Sequence, residues 1–418
     1  MKKARLWSGA MLVSLAAAGA TVAQQPEQYE EPGDLRPTMV LPAELLRGPY
    51  YQVQSPVVSD GYMLRFDVKS DYGPFEVTGT PALRKLIVEI GAIAKLREIK
   101  ASKAFSSAVM DSATGPLRFA KNLIVHPVDT TTGIPKGAYK LFDDVGEAVT
   151  TERNPTDDPI YKKALLVSGR RRDYAAQFGV DVYSSNKVLQ KELNSVAWAA
   201  AIGNLTVSAA LMPVGGVAGA AVSLTRWSNA VNDYLKVEPA SRLTIIAADK
   251  LKEIGIPEDV VRRFINQPHF TPRQYVVVAL ALGQFGPAPP RGREAFLEVA
   301  SLADDEVEAN FFTNTAQILR GYQTSVAPIS QIRMNRRVTA ATSANGSLVL
   351  ALPIDYVMWT PALDRRSQEL VAANHASGFT GKTEAWLLGV ATPMARQRLG
   401  ERGITVVENV NRRMEVLD

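Results

Sequence analysis

The chain has no cysteine and only three histidines, and both shortages narrow what it can do. Without cysteine there are no disulfides, so packing alone must hold the fold. Thiolate zinc sites and a cysteine-acylated lipoprotein anchor are excluded with it. His126, His269 and His375 lie far apart, and none has a second ligand at helical spacing. A metal site would therefore need carboxylates alone. The pairs Asp157-Asp158 and Asp304-Asp305 are better read as helix starts, where acidic groups meet the positive end of the helix dipole. No metal and no cofactor is expected.

The chain is not strongly charged either. Charged residues make 21% and apolar residues 46% of 418 positions, which describes an ordinary globular protein. The formal charge of +5 falls to +2 if Lys2, Lys3 and Arg5 are removed. That balance gives no reason to expect a nucleic-acid partner.

Those three basic residues open a segment with a purpose of its own. An uncharged, mostly apolar run follows from Leu6 to Val22, and Thr21-Val22-Ala23 supplies small residues for cleavage. Residues 1–23 read as a bacterial secretory signal peptide. The expected address is the periplasm or the inner face of an outer membrane. Residues 24–48 are rich in Gln, Glu and Pro, bury little, and read as a flexible, partly extended leader.

From residue 49 the pattern is that of an α+β fold. Tyr62, Leu64, Phe66 and Val68 alternate with Arg65, Asp67 and Lys69, and Gly73 follows in a turn before Phe75 and Val77. Period-two alternation around such a turn predicts a β-hairpin. Thr80-Pro81, Thr271-Pro272, Thr360-Pro361, Thr392-Pro393 and Asp158-Pro159 each combine a capping side chain with Pro at the first helical position. Helices are also expected near 241–254, 258–266, 292–302 and 304–323. A largely helical body thus spans 49–324. The last stretch, 325–418, reads as a small α/β sandwich. It has a hairpin of strands near 330–341 and 347–358 turned by Asn345-Gly346, then strand 384–390, helix 393–402 and strand 404–408.

Four features invite a functional reading. The first is Leu193–Thr225, thirty-three residues without a charge, with Pro213 and Gly216 at a bend. Each limb is shorter than the roughly 20 residues that span a bilayer, so a buried helical hairpin is favoured over a membrane-entering one. Trp198, Leu205, Met212, Gly215 and Gly219 are its candidate interaction residues, the glycines because small residues four apart let helices approach closely. The second is Ala376–Thr383, which approaches a phosphate loop. It has a helix before it and a strand after it, the reverse of what phosphate binding needs, so no nucleotide is expected. The third is Arg170-Arg171-Arg172, read as a solvated helix face.

The fourth is Ser184-Ser185-Asn186-Lys187, followed by Ser343-Ala344-Asn345 and Lys382-Thr383. That order resembles the penicillin-binding and serine β-lactamase family, whose Ser nucleophile is activated by a nearby Lys. The resemblance implies Ser184 as nucleophile and Lys187 as its activator. Glu384 stands where that family has Gly, and Ser184, Ser185 and Asn186 are also good helix-capping residues. The leading expectation is a non-enzymatic protein of the bacterial envelope that associates with a partner protein or a membrane surface. A periplasmic hydrolase using Ser184 and Lys187, and a membrane-active protein using 193–225, are the alternatives.

Overall fold

The computed structural model describes residues 28–113, 159–205, 226–285 and 290–417. The chain enters it through β1 (Asp34–Leu35), two single-turn helices, α1 (Pro37–Val40) and α2 (Ala43–Leu46), and β2 (Arg47–Gly48). Strands β3 (Tyr51–Val53), β4 (Val57–Ser59), β5 (Leu64–Ser70) and β6 (Gly73–Thr78) complete a sheet of order β1-β4-β5-β3-β2, with β6 on β5. The expected hairpin is β5–β6. Leu64, Phe66 and Val68 are buried while Arg65, Asp67 and Lys69 are exposed, as alternation requires. Gly73 closes the turn at φ +123°, where a side chain would be strained.

The reading of 24–48 as a flexible leader does not hold from Gln28 onward. The Tyr29 hydroxyl donates to Asp364 at 2.9 Å. The Glu30 backbone pairs with the Trp359 carbonyl, and its carboxylate accepts from Trp359 N–H at 2.6 Å and Thr392 Oγ1 at 2.6 Å. This segment is ordered by hydrogen bonds to residues more than three hundred positions away. Leu41 is buried as well, and Leu35, Val40, Leu45 and Leu46 pack partly buried against the core of the sheet.

The body is helical: α3 (Thr80–Lys100), α4 (Lys103–Ala113), α5 (Pro159–Phe178), α6 (Lys187–Ile202), α7 (Arg226–Val237), α8 (Ala240–Glu253), α9 (Glu258–Ile265), α10 (Pro272–Gly283), α11 (Arg293–Ala300) and α12 (Glu306–Ser325). Thr271 caps α10 in a full capping box with Gln274. Thr80 differs from expectation. It is the first residue of α3, behind Gly79 at φ +99°, and its N–H donates at 2.8 Å to Asp355. A carboxylate 275 residues away takes the part of a local cap.

Leu193, Val196, Ala197, Ala199 and Ala200 on α6 are buried with Leu205. Trp198 on the same helix is half-buried. The helix ends at Gly203, where a Cβ would stand 2.0 Å from the Ala108 carbonyl oxygen. Only Gly allows that approach of α6 to α4. Met212, Gly215 and Gly219 lie outside the described residues. Among the described residues no helix is long and apolar enough to cross a membrane.

The C-terminal part comprises β7 (Ile329–Asn335), β8 (Val338–Ser343), β9 (Leu348–Leu352), β10 (Tyr356–Val357), α13 (Pro361–Ala376), β11 (Thr383–Leu387), β12 (Val390–Ala391), α14 (Pro393–Glu401) and β13 (Ile404–Val407). The main sheet has the order β13-β11-β9-β8-β7, and β11 is parallel to both neighbours. The single strand expected over 330–341 is two strands, because Arg336 turns the chain at φ +54°. Asn345-Gly346 makes the second turn. Pro353 then ends β9, so the strand expected over 347–358 is interrupted.

The apolar core does not divide near residue 325. One cluster runs from Val231 through α10 and α12 into Ile329, Ile332, Val349, Ala351 and Trp386 of the sheet. Tyr322 packs edge-on against Trp386 at 5.0 Å. A fragment of residues 325–418 would expose the sheet face that α12 covers. Its thermal trace should be broad and non-cooperative, and a sharp two-state melt by circular dichroism would contradict the shared core.

Candidate functional site

A cleft of about 400 Å³ lies where the N-terminal sheet, the helical body and the chain end meet. One wall is β6 with the first turns of α3, another the starts of α6 and α10, and a third the first half of α12. Pro353 and Leu417 complete it.

Glu89 is the deepest charged group in this cleft, 3% exposed. It follows Leu86 and precedes Ile90 and Ile93 on the buried side of α3. Its carboxylate accepts from Ser184 Oγ at 2.6 Å and from Asn186 Nδ2 at 2.9 Å. Asn186 meanwhile caps α6 through its own oxygen, which accepts from the N–H groups of Val188 and Leu189. Burial pushes the Glu89 carboxyl above its ordinary pKa, more than Lys85 and these two donors pull it down. Lys85 faces Asp181 at 4.0 Å, and Ser185 Oγ donates to Glu306 at 2.9 Å across the cleft.

The raised carboxyl has a consequence for stability. The native state binds the Glu89 proton more tightly than the unfolded chain, so its favourable contribution is present in acid and is lost as pH rises from the ordinary carboxylate range through the raised value. Glu89→Gln cannot titrate. It adds a constant offset from the lost Asn186 bond, but its melting temperature should gain on the parent's as pH rises above the ordinary carboxylate range. Melting curves at rising pH check this, and a parent that gains on the variant would contradict it.

Ser184, the candidate nucleophile, is buried and its hydroxyl points to Glu89. Lys187 sits exposed on the first turn of α6, and no hydrogen bond between the two residues is found. Ser343 donates to Asn345 at the β8–β9 turn, where its oxygen also accepts from Ser347 N–H. The order that resembles the β-lactamase family is thus spent on a helix cap and a hairpin turn.

The phosphate-like segment does lie between a helix, α13, and a strand, β11. Arg171 departs from the reading of a solvated face. Its guanidinium donates to the Val182 carbonyl at 2.9 Å and to Gln190, bracing α5 against the loop before α6. Arg170 is exposed beside Asp173. Among the described residues no group of three or more potential ligands is placed to hold a metal ion.

The wall formed by α12 carries uncharged amides. Gln274 Nε2 donates to Asn310 Oδ1 at 2.8 Å, and Gln317 Nε2 donates to Asn314 Oδ1 at 3.1 Å. Phe75, Val307 and Phe311 add apolar surface. Sequence reasoning missed this site. One signal for it was available: a single Glu on the apolar stripe of α3. No protein-family model, no curated protein and no solved structure matches this chain.

Proposed function

We propose that this is an exported protein of the bacterial envelope that works by holding a partner in the cleft between β6, α6 and α12. The observation that carries the binding part is the make-up of that cleft. The carboxylates of Glu89, Asp181 and Glu306 are each engaged by neighbours, and the lining also holds Lys187, Arg273, half-buried amides and apolar side chains. Such a lining suits recognition of a polar ligand with some apolar surface. The export part rests on the basic, then apolar, then small-residue pattern of residues 1–23.

Both parts are tested in one strain. A photo-crosslinking residue is placed at Val307, which lines the cleft, and separately at Ile245, exposed and outside it. The protein should appear in the periplasmic or outer-membrane fraction with its N-terminus at Gln24. Val307 should give a discrete adduct that Ile245 does not. An intact Met1 in the cytoplasmic fraction overturns export, and identical adducts from both positions overturn the cleft as the binding site.

A further inference from the structure

We infer that the cleft takes an extended peptide segment of its partner, added as a strand to the free edge of β6 and gripped from the opposite wall by Asn310 and Asn314. This rests on the binding reading above and names its ligand class.

The edge comes from the register of the hairpin. Among the described residues β6 pairs only with β5, with Val77 opposite Phe66 and Glu76 opposite Asp67. The Gly79 N–H donates to the Leu64 carbonyl at 2.9 Å, which makes 64/79 a hydrogen-bonded pair. Bonded and non-bonded pairs alternate along an antiparallel ladder. Phe75 and Val77 therefore spend their backbone groups on β5, while Glu76 and Thr78 turn theirs outward. No backbone partner for those outward groups is found among the described residues. Pro74 has no N–H to offer, and Gly79 leads into α3. Among the described residues the free edge is thus two residues long, and both residues belong to the cleft wall. An edge of this kind is a template for a further strand.

The opposite wall is oriented independently. Gln274 Oε1 accepts the Thr271 backbone N–H at 2.7 Å, so its amide nitrogen must be the group that meets Asn310. Gln317 Oε1 accepts the Leu417 backbone N–H at 2.8 Å, so its nitrogen must meet Asn314. A backbone donor leaves no choice of amide flip. Each asparagine oxygen therefore accepts from a glutamine, and no acceptor for either Nδ2 is found among the described residues. Residues i and i+4 stand about 6 Å apart on a helix. Carbonyls on one side of an extended chain recur about every 6.6–6.8 Å. Two fixed donors at that spacing match two same-side carbonyls of a strand whose other edge pairs with Glu76 and Thr78. A cavity of about 400 Å³ holds a short segment and not a folded domain.

The test uses the mature chain, residues 24–418, and a phage-displayed library of random heptapeptides. A selected peptide is synthesised, and its amides are N-methylated on odd or on even positions. One set should abolish binding and the other be tolerated, because only alternate amides meet β6. On binding, the Glu76 and Thr78 amides should slow at least tenfold in hydrogen exchange. Asn310→Asp and Asn314→Asp keep the acceptor that the glutamines need and remove the donor. Each should weaken the peptide at least tenfold, with the melting temperature as a check on folding. Equal tolerance of both methylation sets, or no protection at Glu76 and Thr78, overturns the inference. So does a dimer of the peptide-free protein that already protects those amides. If no peptide is selected while the Val307 crosslink persists, strand addition fails and the cleft reading stands. Peptide binding with an uncleaved, cytoplasmic chain sinks the envelope reading alone.

Discussion

Asp355→Ala should destabilise the protein by about 2–5 kcal/mol. Asp355 is 4% exposed and its two carboxylate oxygens accept the backbone N–H groups of Leu64 at 3.1 Å and Thr80 at 2.8 Å. Alanine leaves both amides without a partner, one opening β5 and the other the first turn of α3. Each orphaned buried donor costs about 1–3 kcal/mol. Asp355→Asn retains one acceptor and should fall between the parent and the alanine form. Urea unfolding measures the difference, and hydrogen exchange at Thr80 reports it locally. A loss below about 1 kcal/mol would mean that water or a rearranged side chain replaces the carboxylate.

Leu205→Asp should collapse the melting transition, at a cost of about 3 kcal/mol or more. Leu205 is 8% exposed and lies in the apolar cluster that α6 shares with Ala108 on α4 and Tyr174 on α5. The readouts are the melting temperature and the partition between soluble and membrane fractions. A normal melt with a changed partition would overturn the assignment of this residue to the core.

Elements whose causes are local were legible in the sequence. The β5–β6 hairpin follows from alternation and one glycine. Thr271, Thr360 and Thr392 cap helices as their pairing with proline foretells. What was not legible is what distant residues decide. Glu30 looks solvent-bound until Trp359 and Thr392 are placed beside it. Thr80 looks like a cap until Asp355 does the capping instead. Arg336 gives no sign of a left-handed turn, because the residue type disfavours one and only the β7–β8 pairing imposes it. The cleft combines residues of β6, α6, α10 and α12, so the Gln274–Asn310 pair has no trace in any one segment, whereas Asn314 and Gln317 lie three apart on α12. Glu89 is the exception, as an acid on an apolar stripe stands out without a partner in view.

The Asp355 bridge also orders events in time. Ribosomes make β5 and the start of α3 long before they make residue 355. Until then the amides of Leu64 and Thr80 have no native acceptor, and Glu30 has neither Trp359 nor Thr392 to hold. The earliest part of the chain can reach its final form only after the latest part has emerged. A nascent chain that has not yet reached residue 355 lacks these acceptors, so a stop codon before that point leaves the early amides of β5 and α3 without their native partner.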